Sequence, residues 1–314
     1  MPEHQFFVEL EPEKRLRLDL YIARAGVLSR SQLKARNAMA KINGKRVKFS
    51  YLVKNGDFLE LDWETDTPHD LIPQLIPLDV LYEDENVIVV NKAQGMVVHP
   101  AAGNWNGTLV NALLAYRLER KDAVPGEGGF AEGRPFIVHR LDKDTSGVII
   151  SAWNLAALNA LQAQFKARTV RKRYIALVQG IPRDERGVIA APIVRDSKNR
   201  KCFTTAATGG RTACTRYRVL KRFVLASGAS YALLLLGPKT GRTHQIRVHL
   251  KHLGCPILGD SLYGRKDKLF PEAALALHAY SLRIALPQTN KSARFTAPLP
   301  DRISRTAARL SRKC

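Results

Sequence analysis

Pro68, Pro73 and Pro77 fall within ten positions of one another, in residues 64–77. Each proline fixes φ near −65° and lacks an N–H, so neither a helix nor a central strand runs through such a stretch. What remains is a stiff, extended connector, and the chain is expected to divide there. The expected organisation is a small unit over residues 1–65, a linker over 66–80 and a large unit over 81–314.

The small unit is set apart by charge. Residues 14–56 carry twelve cations (Lys14, Arg15, Arg17, Arg24, Arg30, Lys34, Arg36, Lys41, Lys45, Arg46, Lys48 and Lys54) against one acid, Asp19. With so few acids nearby the charges cannot neutralise one another, which favours a polyanion-binding module over a merely solvated face. Ser29 or Ser31 can cap a helix running through Leu33, Ala38 and Ile42. Asn43-Gly44 and Asn55-Gly56-Asp57 are turn signals, and residues 58–63 alternate as a strand does.

The whole chain, 314 residues with a formal net charge of +22, is far more cationic than solubility requires. Such an excess points to nucleic acid or an anionic membrane. The membrane reading is disfavoured, because the longest strongly apolar stretch, residues 231–237, is too short to span a bilayer. The N-terminus carries acids where a signal peptide carries cations. Cys202, Cys214, Cys255 and Cys314 are scattered without a Cys-x-x-Cys pair, so neither a disulfide framework nor a zinc site is expected. A reducing cytoplasm is the expected compartment, and a monomer the expected state.

Beyond the connector, strand-like and helix-like stretches alternate. Residues 86–91, 147–152, 173–179 and 231–236 read as strands, and Leu155, Leu158, Leu161 and Phe165 keep helical spacing. The expected class is α+β, with a large mixed or antiparallel sheet and a small α/β unit before it. Two segments carry chemistry. Residues 138–147 place a carboxylate, Asp142, beside a guanidinium, Arg140, before a Thr-Ser-Gly turn that leads into an apolar strand. Asp144 is read as capping that turn. Residues 240–249 supply further cations that can meet the acid, with His244 and His249 among them. These histidines lack a third ligand at motif spacing, so core or RNA-contacting roles are favoured over metal binding. The basic tail, Arg302, Arg305, Arg309, Arg312 and Lys313, is spaced like one helical face and suits either RNA or solvent.

The segment from His139 to Gly147 resembles the signature of the RluA-type pseudouridine synthases, in particular their RluD-like branch. Asn91-Lys92 through Asn104, Lys172-Arg173-Tyr174, Thr240–His249, Leu258–Gly264, Leu277-His278-Ala279 and Ala297–Pro300 are similar to further blocks of that family. Ala93 departs from the family's usual proline. Arg17-Leu18-Asp19, Ser29-Arg30-Ser31, Asn43-Gly44-Lys45 and Gly56-Asp57 resemble an S4-like RNA-binding domain.

The resemblance implies an isomerase that converts uridine in RNA to pseudouridine by base flipping. Asp142 would be the catalytic carboxylate, Arg242 the arginine that pairs with it, and Tyr174 a residue packed on the uracil. Arg140 would fill the space left by the extruded nucleotide. Arg30, Lys34, Arg36, Lys45, Arg46 and Arg247 would contact RNA. The isomerisation conserves atoms and redox state, so neither metal nor organic cofactor is expected. Large-subunit ribosomal RNA is the expected substrate. A tRNA substrate and a non-catalytic RNA-binding assembly protein are the alternatives. The Gly-rich residues 121–135 carry no readable substrate code.

Overall fold

The computed structural model describes residues 4–25, 27–28, 33, 37–63, 72–100, 104–120, 135–199 and 201–313. They fall into two units, residues 1–71 and 72–314. Much of the proline-bearing connector lies outside the described residues.

The first unit contains β1 (His4–Phe7), β2 (Leu16–Arg17), α1 (Leu18–Arg24), β3 (Met39–Ile42), β4 (Lys45–Val47), β5 (Leu52–Val53) and β6 (Phe58–Asp62). Four strands form a sheet in the order β1-β6-β3-β4, while β2 pairs with β5. Alternation in β3 and β6 turns Ala40, Ile42, Leu59 and Leu61 inward, where they meet Leu18 and Ile22 of α1. Asn43 and Gly44 both take positive φ, 51° and 77°, as a tight hairpin turn requires. The Asn43 side chain also accepts from the Phe58 N–H at 2.8 Å and donates to Asp57 at 3.1 Å, which ties the two turns together.

The helix expected through Ile42 is corrected here. Leu33 is helical, but Met39–Ile42 is a strand. Asn37 takes φ 45°, a left-handed conformation that ends a helix, and the next residues alternate between exposed and buried. Ser29 and Ser31 lie outside the described residues.

The second unit contains β7 (Val80–Glu83), β8 (Val87–Lys92), α2 (Leu109–Glu119), β9 (Phe136–Ile137), β10 (Ser146–Ala152), α3 (Leu155–Ala167) and β11 (Arg171–Gln179). It continues through β12 (Arg186–Ile189), β13 (Ile193–Arg195), β14 (Phe203–Thr205), β15 (Thr215–Val224), β16 (Ser230–Pro238) and α4 (Gln245–His252). β17 (Leu277–Ala285), β18 (Ser292–Thr296) and α5 (Asp301–Ser311) complete it. Ten strands form one mixed sheet in the order β12-β15-β16-β11-β17-β10-β8-β7, with β18 on β17 and β9 on β10. α3 begins at Asn154, whose side chain accepts from the Ala157 N–H, and it buries Leu161 against Val148, Ile150 and Leu282.

Three features converge where β10 and β17 meet. The two strands pair in parallel only over Ser146–Gly147, opposite His278 and Ala279, and then diverge. The β11–β17 ladder shifts register between Arg173 and Ile175, with the extra residue on β17. A bulge of this kind re-aims neighbouring side chains. Gly147 has φ 114°, and a Cβ there would lie 2.3 Å from the Ala279 carbonyl oxygen. The close approach therefore needs glycine for both conformation and space. Gly147→Ala is expected to destabilise the second unit by at least about 2 kcal/mol, through strain and overpacking together. Urea unfolding followed by tryptophan fluorescence checks this, and an unchanged midpoint would contradict it.

Candidate active site

Asp142 sits in the loop before β10. The turn after it is closed by the Thr145 N–H, which donates to the Asp142 carbonyl at 3.1 Å. Among the described residues no hydrogen bond to the Asp144 carboxylate caps this turn, contrary to expectation. The loop is instead held from below by Lys92, a fully buried side chain at the end of β8. Its Nζ donates to the carbonyls of Ala93 (2.8 Å), Met96 (2.7 Å) and Lys143 (3.1 Å). All three ammonium protons are thus used, which makes the buried charge tolerable. Burial still lowers the Lys92 pKa to about 8, against the opposing pull of Asp144 and Asp142.

The cation that meets Asp142 is Arg247, with Nη1 3.7 Å from the carboxylate. Arg247 belongs to α4 and is itself held by Asp260 in a bidentate pair, at 2.8 Å through Nε and 2.7 Å through Nη2. Asp260 also accepts from the backbone N–H groups of Leu262 and Tyr263, both at 3.0 Å. The side chains of Arg247 and Asp260 are 6% and 0% exposed, whereas that of Asp142 is 21% exposed. Burial alone would lower the Arg247 pKa, but the hydrogen bonds and charge of Asp260 outweigh it and hold it above the ordinary value.

Two sequence expectations change here. Arg242 does not pair with Asp142; its Nε donates to the Thr212 carbonyl at 3.1 Å. His244, at φ 55°, begins α4, so Arg242 lies in the preceding loop and Arg247 on the helix. Arg247, expected to contact RNA, is buried and engaged by two carboxylates.

Tyr174, on β11 opposite the bulge, lines the same cleft of ≈ 470 Å³ as Arg140, Asp142, Arg242 and Arg247. Burial, and secondarily the charge of Asp142, push the Tyr174 hydroxyl pKa well above its ordinary value. Arg140 is exposed at the cleft. His139 stacks on Phe165 with ring centroids 4.8 Å apart, and its Nε2 accepts from the Ile150 N–H at 3.2 Å. Burial lowers its pKa to about 3, so it is a neutral scaffold residue.

Arg242 keeps cationic company. Its pKa is lowered by burial and then by the charges of Arg211 and Arg168. Its backbone N–H donates to the Gln245 side chain at 3.0 Å, which in turn donates to Thr215 Oγ1 at 3.0 Å. His249 lies at the end of this network, fully buried between Thr215 Oγ1 (2.9 Å) and the Ala191 carbonyl (3.0 Å). His244 is hydrogen bonded to the Tyr263 hydroxyl at 2.8 Å. Among the described residues no group of three or more His, Cys, Asp or Glu could hold a metal.

Lys45 and Arg46 are exposed at the β3–β4 hairpin of the first unit, while Arg30, Lys34 and Arg36 lie outside the described residues, as does most of 121–135. Within the basic tail, Arg302 turns inward. It donates to Ser146 Oγ at 2.8 Å and to the carbonyls of Leu277 and Leu275 at 3.1 and 3.2 Å, tying α5 to the start of β10. Lys92 and Asp260 were visible in motifs but had no role assigned from sequence. The available signal was an ionisable residue inside an otherwise apolar or glycine-bounded segment.

A family model described as RNA pseudouridylate synthase matches residues 86–252. The chain is 44% identical over 298 residues to "Ribosomal large subunit pseudouridine synthase D" of Borreliella burgdorferi, covering 93% of this chain and 88% of the relative. A protein of the same name from Xanthomonas campestris is 40% identical, with 84% of each chain covered. The solved structure of human RNA Pseudouridylate Synthase Domain Containing 4 superposes with a TM-score of 0.57 at 27% identity, covering 74% of this chain and 93% of that one.

The Lys92 environment makes a pH prediction. Its folded pKa of about 8 lies below the ordinary value of 10.5, so between these limits the unfolded chain holds more protons and stability rises with pH. Relative to Lys92→Met, the unaltered protein is expected to gain on the order of 3 kcal/mol across that window. Parallel curves of unfolding free energy against pH for the two proteins would contradict this.

Proposed function

The chain belongs to the RNA pseudouridylate synthase family, and from that premise we propose that Asp142 is its reactive carboxylate, acting on uridines of large-subunit ribosomal RNA. The protein is an RNA pseudouridine synthase, an isomerase. The observation that carries the assignment of Asp142 is its pairing with Arg247, whose position is set by the buried Asp260. Isomerisation breaks the N1–C1′ bond, rotates the uracil and joins C5 to C1′. The C5 proton is lost and N1 gains one. Attack on C1′ and removal of a ribose proton are both open to a carboxylate, and both begin with that carboxylate ionised.

A guanidinium beside the carboxylate complements its negative charge and orients it. Arginine suits the task because it stays charged when buried and matches a carboxylate with its planar fork. A lysine at 247 would keep the charge and lose the bidentate grip on Asp260.

The Tyr174 environment keeps its hydroxyl a neutral phenol, which is a poor acceptor for the C5 proton. Its ring is suited to pack on the uracil. Arg140, exposed at the cleft, is placed to occupy the gap left by the flipped nucleotide, since C1′ and C5 of a stacked uridine cannot reach an enclosed acid. Arg242, with Arg168 and Arg211 nearby, fits backbone phosphates better than it fits Asp142. The reaction conserves all atoms and redox state, so its chemistry requires no metal or organic cofactor.

In the first unit, Lys45, Arg46 and the surrounding cations support an S4-like RNA-binding role over residues 1–65. Arg30, Lys34 and Arg36 are proposed from the sequence for the same role. A cytoplasmic monomer fits a substrate of this kind. The names of the relatives favour large-subunit ribosomal RNA over tRNA.

Single-turnover isomerisation of unmodified large-subunit RNA tests the proposal. Asp142→Asn is expected to slow the reaction at least about a thousandfold, or roughly 4 kcal/mol in the barrier, while RNA binding is retained. The unaltered protein is expected to keep its rate in chelator. A variant with substantial activity would remove Asp142 from the chemistry, and an unaltered protein with no product would remove the substrate assignment.

A further inference from the structure

Lys172 and Tyr174 of β11 line the cleft, so by the two-residue period of a strand Arg171 and Arg173 point to the opposite face of the sheet. β11 is an interior strand between β16 and β17, yet both arginines are exposed. The ladders extend this feature sideways. Arg171 stands directly opposite Arg283 of β17, and Arg283 directly opposite Arg294 of β18. On the other side, Ile175 pairs with Leu235, which pairs with Arg218 of β15, and Arg216 pairs with Gly237 two positions along. Arg216 and Arg218 therefore share the face with Arg171 and Arg173. All six arginines are exposed.

Like charges directly opposite one another weaken a sheet. Here three guanidiniums sit on successive strands, at a spacing of about 4.8 Å per strand. Among the described residues none of the six forms an ion pair. Arg283 donates through Nε to Ser292 at 2.9 Å, which leaves its two terminal nitrogens for another acceptor. Arg171 and Arg283 also line a second cleft of ≈ 370 Å³, whose further polar lining includes Thr169, Asn290 and Ser292. Repulsion of this kind is relieved by an anion.

We propose that this arginine face is a second RNA-binding surface, which holds the phosphodiester backbone of another segment of the same RNA whose uridine occupies the cleft. The forked donors of arginine match phosphate oxygens, and such contacts are independent of sequence. RNA is favoured over an acidic protein because the enzyme already binds this polyanion on the other face. The inference rests on RNA as substrate. A segment bound here must pass around the sheet, so the surface serves long or folded RNA and not a short strand.

The test uses the full chain and the triple variant Arg171→Gln, Arg283→Gln, Arg294→Gln. Affinity is measured for an unmodified large-subunit RNA transcript and for a short oligouridine that reaches only the cleft. The variant is expected to bind the transcript at least about tenfold more weakly, with the slope of log affinity against log salt reduced by about 2 to 3. Its affinity for oligouridine is expected to stay the same, and its thermal midpoint to equal or exceed that of the unaltered chain as the repulsion is relieved. An unchanged salt slope would overturn the proposal, as would an equal loss for both RNAs. Retained transcript affinity with weakened binding of polyglutamate would assign the face to an acidic protein and overturn it too. Isomerisation of the transcript is scored separately, so a wrong substrate appears as absent product and a wrong surface as an unchanged slope.

Discussion

The Arg247–Asp260 pair is the constraint around which the catalytic unit is arranged. Both side chains are almost wholly out of water, where an unpaired charge costs several kcal/mol. The pair is tolerable because Asp260 also accepts two backbone N–H groups. Two parallel hydrogen bonds fix the plane of the guanidinium, and its remaining terminal nitrogen is turned to Asp142. Asp142 is the more exposed member of the three. The arrangement keeps the fixed charges inside and presents a carboxylate to the cleft.

The loop bearing Asp142 is set from the other side by covalently distant anchors. Lys92 grips it through the Lys143 carbonyl, Gly147 lets β10 approach Ala279, and Arg302 fastens Ser146 to the C-terminal helix. Elements from the beginning, middle and end of the unit thus meet within a few residues of one carboxylate. Tyr174 reaches the same cleft from β11, opposite the bulge in β17. Pre-organisation of this kind places the reacting group before substrate arrives.

Much of this was legible in local sequence. The residues around Asp142 read as an acid before a turn and a strand, and Leu155, Leu158, Leu161 and Phe165 gave α3 by period alone. The failures have identifiable causes. Leu33, Ala38 and Ile42 have helical spacing, but the left-handed Asn37 breaks the helix and β3 follows. Arg242 and Arg247 lie in one motif, and which of them meets Asp142 depends on the left-handed His244 that separates loop from helix. Asp260 becomes a partner of Arg247 only when two distant segments pack, and the facing arginines of β11, β17 and β18 appear only once strand register is known. Sequence carries types and periods, whereas pairing across the fold carries these contacts.

The central claim is that Arg247, positioned by Asp260, holds the Asp142 carboxylate in place for the reaction. The most direct measurement is the single-turnover rate of isomerisation, compared between the unaltered protein and the double variant Arg247→Gln, Asp260→Asn. The double change removes the cation without stranding its buried partner. The account predicts that the rate falls at least about tenfold, or roughly 1.4 kcal/mol in the barrier, while RNA affinity is retained. A folded double variant that keeps the full rate would contradict the account.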